Sequence, residues 1–111
     1  MQFTTSILAI LATAATTNAV VVDLFSDTDC QVPAGSRNVW DNSCAPLGGF
    51  QSFRITGSGG SGQQLSAYSK NYCADKVTAC VGVSATGDCQ RATNDNGGSN
   101  AMGSSPVCGA L

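Results

Sequence analysis

The stretch LFSDTDC (Leu24–Cys30) decides the fold once it is set beside AYSKNYC (Ala67–Cys73). Alone, it packs hydroxyls, two carboxylates and a thiol into seven residues and looks like a reactive cluster. Both stretches read apolar, aromatic, Ser, two polar residues, one variable residue, Cys, at an offset of 43 (73 minus 30). Cys30 is followed by Cys44 after 14 positions and Cys73 by Cys89 after 16 (44 minus 30, 89 minus 73). Each second Cys leads to a glycine pair, Gly48-Gly49 or Gly97-Gly98, and then to a serine, Ser52 or Ser99. Four agreements in one order predict two copies of one unit, about residues 20–56 and 65–108. The second copy has Lys70 and Tyr72 where the first has Asp27 and Asp29, so the acid pair reads as turn solvation.

Between the copies, GSGGSG (Gly57–Gly62) lacks the Gly-Lys-Ser/Thr of a phosphate loop and reads as a connector. Within the copies the apolar period is mostly two. Phe53 and Ile55 alternate with Ser52, Arg54 and Thr56, and Val77, Ala79, Val81 and Val83 share a face opposite Thr78 and Cys80. The β-branched run Val20–Val22 and the short RNVWD suit strands. The expected class is therefore all-β: a small disulfide-stapled sandwich of two Greek-key-like units. From Leu65 a helical stripe through Tyr68, Tyr72 and Val77 also fits, so an α+β fold with one helix around residues 63–79 is the alternative. Phe25, Val39, Trp40, Phe53 and Ile55 of one copy, with Tyr68, Val77, Val81 and Val83 of the other, are the expected core.

Residues 1–19 carry no charge, hold an apolar run from Ile7 to Ala15 and end in Thr17-Asn18-Ala19. That pattern predicts a secretory signal peptide, with one secreted domain over 20–111. All six cysteines lie in that domain, which implies a disulfide framework rather than zinc, since there is no Cys-x-x-Cys and no histidine. Six cysteines allow fifteen pairings. The repeat favours Cys30–Cys44 and Cys73–Cys89 as equivalent bridges within each copy, with Cys80–Cys108 tying down the last segment. A thin core in so short a chain needs such staples.

The same composition narrows function. A net charge of −2 with five scattered Lys and Arg excludes a basic nucleic-acid stripe, and no apolar run is long enough to span a membrane. Nucleophilic catalysis by Ser or Cys usually recruits His as base. There is none, nor any Glu, and the seven Asp sit mostly beside Ser, Asn or Gly as in turns. No enzyme and no cofactor is expected. Trp40 and Tyr72 are candidate binding aromatics, with Trp40 read mainly as core.

The leader, the SDTDC turn, FQSFRITGSGG (Phe50–Gly60) and the six cysteines resemble small secreted cysteine-rich proteins of filamentous fungi, over nearly all of residues 20–111. That resemblance implies a secreted setting, with members of effector-candidate, toxin and cell-surface type. The two-copy layout is similar to βγ-crystallin-like domains, some of which bind calcium through acidic or amide residues followed by hydroxyls. DNGGSN (Asp95–Asn100) fits five of the six positions of that pattern, so the resemblance makes Asp95, Asn96 and Ser99 a calcium candidate. The reading that follows is a non-enzymatic binding or effector-like protein acting outside the cell or on a host. Its partner would be an extracellular protein or a polysaccharide. A toxin or antimicrobial protein, or a structural protein of the cell wall, is the alternative, and the oligomeric state stays open.

Overall fold

A computed structural model describes residues 18–111 apart from Asp75. Residues 1–17 of the signal peptide expected over 1–19 lie outside the described residues. Ala19 already belongs to the sheet, pairing with Trp40, and just before it the Asn18 carbonyl accepts the Asp41 N–H at 2.9 Å.

Among the described residues eight strands follow one another: β1 (Ala19–Phe25), β2 (Pro33–Trp40), β3 (Ser43–Phe50), β4 (Ser52–Gly57), β5 (Gln64–Tyr68), β6 (Val77–Gly82), β7 (Cys89–Arg91) and β8 (Ser99–Ser105). They form two antiparallel sheets, ordered β2-β1-β4-β7 and β3-β8-β5-β6. The fold is an all-β sandwich, as the alternation of apolar residues requires. No helix forms among the described residues, so the alternative of a helix over 63–79 is displaced by β5, a loop and β6. The helical stripe is real in the sequence. Yet Leu65 and Ala67 also alternate with period two, and β5 lies between β8 and β6, where both its edges are hydrogen-bonded.

Read in the order second, first, fourth, third, the two sheets are the same. One is β2-β1-β4 completed by β7; the other is β6-β5-β8 completed by β3. Each unit therefore lends its third strand to the other unit's sheet. The registers make the equivalence residue by residue. Arg54 of β4 faces Cys89 of β7, and Gly103 of β8 faces Cys44 of β3. Phe25 faces Ser52, as Tyr68 faces Ala101. The last strands thus align GGFQSF (Gly48–Phe53) with GGSNAM (Gly97–Met102), which makes Gln51 the counterpart of Asn100. Ser52 and Ser99 are not counterparts; the sequence match between them is off by two residues.

The strand exchange corrects the bridge pattern. Cys30 bonds Cys89 and Cys44 bonds Cys73, in place of Cys30–Cys44 and Cys73–Cys89. Cys80–Cys108 stands as expected. The repeat names the equivalent cysteines correctly: 30 with 73, on the loop after the first strand, and 44 with 89, on the third strand. Because each third strand sits in the opposite sheet, each equivalent bridge runs between the units. Cys30–Cys89 closes 59 residues, against the 14 expected, and a longer closed loop removes more unfolded-chain entropy, about 4 kcal/mol here.

The core lies between the sheets. Val20, Val22 and Leu24 of β1, Val39, Phe50, Phe53, Ile55, Leu65, Ala67, Val83, Ala92 and Met102 form one buried cluster, with Ala79 and Val81 partly buried against it. Each fully buried Val, Leu, Ile or Phe among them contributes about 1.5–3 kcal/mol. Trp40 departs from expectation and is 48% exposed. Val39 and Trp40 are adjacent on one strand, so only one can face inward, and Val39 does. Val77 is only partly buried. Phe25 and Tyr68 are buried but stand outside that central cluster.

Phe25 lies under the Arg54 guanidinium, 5.5 Å from its ring centre. Tyr68 lies under the segment after β8: its phenol oxygen accepts the Leu111 N–H at 3.3 Å, and Ser66 Oγ accepts that of Gly109 at 2.9 Å. Where the first unit has Arg54, the second has Gly103. A Cβ there would come within 3.0 Å of Leu111 and 3.2 Å of the Cys73 sulfur, so only glycine leaves room for both.

The connector also serves packing. The Gly60 N–H donates to an Asp41 carboxylate oxygen at 3.2 Å. A Cβ on Gly59 would lie 2.8 Å from the Val20 side chain. GSGGSG is held against the core rather than left as a free tether.

A polar groove between the two units

The strand directions bring four loops to one end of the sandwich: those after β1, β3, β5 and β7. Each loop after a first strand is closed in the same way. The Ser26 N–H donates to the Val32 carbonyl at 2.9 Å, and the Ser69 N–H donates to the Lys76 carbonyl at 2.9 Å. Each is then tied to its own unit's fourth-strand end by an amide side chain. Gln51 Nε2 donates to the Ser26 carbonyl at 3.0 Å, and its counterpart Asn100 Nδ2 donates to that of Ser69 at 2.7 Å.

Between these ties lies an open groove of about 660 Å3. The two units furnish it with matched pairs: Ser26 with Ser69, Gly49 with Gly98, Gln51 with Asn100. Lys70 and Asn96 come from the second unit alone, and Lys70 is the one charged residue among the described lining. Its counterpart Asp27 is committed elsewhere. The Asp27 carboxylate accepts the N–H groups of Val32 and Gln31 at 3.0 Å and that of Asp29 at 3.2 Å. The Val32 N–H first, then those of Gln31 and Asp29, hold this carboxyl below the ordinary range, against an opposing effect of desolvation. Asp27 is thus the clasp of its loop, and LFSDTDC is a structural corner: Ser52 Oγ, fully buried, donates to the Asp27 carbonyl at 2.6 Å and accepts the Cys30 N–H at 3.0 Å.

The paired glycines divide by role. Gly48 and Gly97 have φ of +81° and +100°, a conformation that other residues rarely adopt. Gly49 and Gly98 do not. A Cβ on Gly49 would meet nothing nearer than Asn100 Oδ1 at 3.8 Å, and one on Gly98 nothing nearer than the Phe50 carbonyl at 3.5 Å. Neither the backbone nor the packing requires glycine at these two equivalent positions. What a side chain there would fill is the groove.

The candidate residues fall as follows. Asn96 and Ser99 line the groove, and Asp95 does not. Ser99 Oγ is buried, donating to the Ala92 carbonyl at 2.6 Å and sharing a hydrogen bond with Thr78 Oγ1. Asn96 Nδ2 donates to the Val77 carbonyl at 3.2 Å. Among the described residues no three His, Cys, Asp or Glu side chains stand close enough together to hold a metal ion. Tyr72, 57% exposed, sits on the loop of Ser69 and Lys70, whereas Trp40 lies at the other end of the sandwich, beside Ala19. The two aromatics do not form one row. Gln51, Asn100, Ser26 and Ser69 were missed as site residues; the doubled Gly-Gly was the available signal, and it reads first as a repeat marker.

All six cysteines are bridged. Three disulfides in a domain this small are compatible with an extracellular location. No helix among the described residues is long and apolar enough to cross a membrane. Neither a family model, nor a curated protein, nor a solved structure matches the chain.

Proposed function

We propose that this chain is a secreted, non-enzymatic binding protein, effector-like in acting outside the cell or on a host, and that the groove between its units is the ligand-facing surface. The observation that carries the reading is the pair Gly49 and Gly98. Glycine in a strand or at its end weakens the fold relative to alanine by roughly 0.5–1 kcal/mol. Keeping it twice, at equivalent sites with room for a side chain, fits a surface that must stay open to something else. The leader-like first nineteen residues and the bridged cysteines support the secreted setting. The two-unit sandwich supports the likeness in layout to βγ-crystallin-like domains. The absence of His and Glu from the sequence supports the non-enzymatic reading.

The test compares the oxidised protein with Gly49→Leu and Gly98→Leu, both of which fill the groove from positions that tolerate a side chain. Binding to host extracts or cell-wall polysaccharide that is lost in both variants, at unchanged melting temperature, upholds the reading. Binding that both variants retain moves the active surface elsewhere.

A further inference from the structure

We propose that the groove takes a neutral, hydroxyl-rich oligosaccharide, an inference that rests on the groove being the ligand-facing surface. Three amides line it, and each spends its nitrogen on a backbone carbonyl: Gln51 on Ser26 at 3.0 Å, Asn100 on Ser69 at 2.7 Å, Asn96 on Val77 at 3.2 Å. That bond fixes each amide and leaves its oxygen without a donor among the described residues. The groove therefore holds three anchored acceptors, and such preorganised acceptors select a ligand that donates. Hydroxyls donate without charge. They also accept, and the Lys70 ammonium and the hydroxyls of Ser26 and Ser69 are donors in the same groove.

Charge discriminates against the other classes. Unpaired amide oxygens disfavour an anion, and a lysine with no carboxylate among the described lining disfavours a metal cation. A protein partner would want an apolar anchor to bury. The one large apolar lining residue, Phe50, is 2% exposed and already part of the core. Tyr72, two residues past Lys70, offers an exposed ring of the kind that stacks on a pyranose face.

The duplication fits as well. Gln51 with Ser26, and Asn100 with Ser69, are the same pair presented twice, which suits a ligand that repeats. The volume falls within the size range of small-ligand sites, about 300–1,000 Å3, so a few rings of a longer chain would sit in it at a time.

The experiment is an amide NMR titration of the oxidised protein with chitohexaose, laminarihexaose, mannohexaose and xylohexaose, with inorganic phosphate and calcium chloride as separate arms. The expected result is saturable shifts at Gly49, Gln51, Ser69, Lys70 and Asn100 with at least one hexasaccharide. Gly49→Leu, at unchanged melting temperature, and Gln51→Ala, which also loses its tie to the Ser26 carbonyl and melts slightly lower, should each weaken it at least about tenfold, or 1.4 kcal/mol. Saturation of these amides by phosphate or calcium and by no sugar overturns the proposal. So does silence toward all four sugars at millimolar concentration. In that second case, a protein ligand lost in Gly49→Leu would keep the groove as the binding surface while removing the saccharide from it. If every ligand found is indifferent to Gly49→Leu, both readings fall.

Discussion

Glycine occurs thirteen times in this sequence, and positions 49 and 59 show how differently one residue type can be required. At Gly59 an added Cβ would stand 2.8 Å from the fully buried Val20 side chain and 3.2 Å from its backbone nitrogen. Gly59→Ala should therefore cost about 1–3 kcal/mol in urea unfolding, as overpacking does. Gly49→Ala should raise stability by about 0.5–1 kcal/mol, since nothing is displaced and the unfolded chain loses glycine's extra freedom. Asp27 carries a pH dependence. Its folded pKa is lowered, so the stabilisation it gives its loop is present above the ordinary Asp value, near 3.9, and is lost as pH falls through the folded value. The Gln31 and Val32 amides should be protected from hydrogen exchange at neutral pH and lose that protection only beneath the ordinary Asp value, as pH falls through the lowered folded one. Asp27→Asn should abolish this pH dependence. The residue scale is also where the sequence misleads most. Period two puts either Val39 or Trp40 inward but does not say which, and size argues for the tryptophan that the structure leaves outside.

The loop after β1 is an element without secondary structure, and a single buried hydroxyl fastens it to β4. Ser52 Oγ serves both the Asp27 carbonyl and the Cys30 N–H. Ser52→Ala would leave both without that partner, and a loss of about 2–3 kcal/mol by urea unfolding is expected. A change within about half a kcal/mol would mean that water replaces the hydroxyl. In the second unit the equivalent position is Ala101, so Ala101→Ser should give no matching gain. Strands β1, β2, β4 and β6 were legible in β-branched runs and in the alternation at Phe53 and Ile55; β3, β7 and β8, rich in Gly, Ser and Asn, carry no such signal, and at β5 the helical stripe competed. The groove was not legible. Its amides are ordinary polar residues at strand ends, and only the register that equates Gln51 with Asn100 shows that they meet.

At the scale of the molecule, two small units are locked together by exchange. Each sheet needs the other unit's third strand, and the bridges Cys30–Cys89 and Cys44–Cys73 fix that exchange covalently. The groove follows from the same relation, since its matched halves come from different units. The repeat itself could be read from cysteine spacing and the Gly-Gly pairs. Whether equivalent cysteines pair within a unit or between units could not, because spacing is the same in both cases and only the sheet chosen by β3 and β7 decides. Peptide mapping without reduction tests this most directly. Trypsin cuts after Arg37, Arg54, Lys70, Lys76 and Arg91 would place Cys44 on 38–54, Cys73 on 71–76, and Cys80 with Cys89 on 77–91. The exchange predicts 38–54 joined to 71–76 alone, with the Cys30 peptide joined to 77–91. Recovery of the Cys30 peptide joined to 38–54 would contradict it.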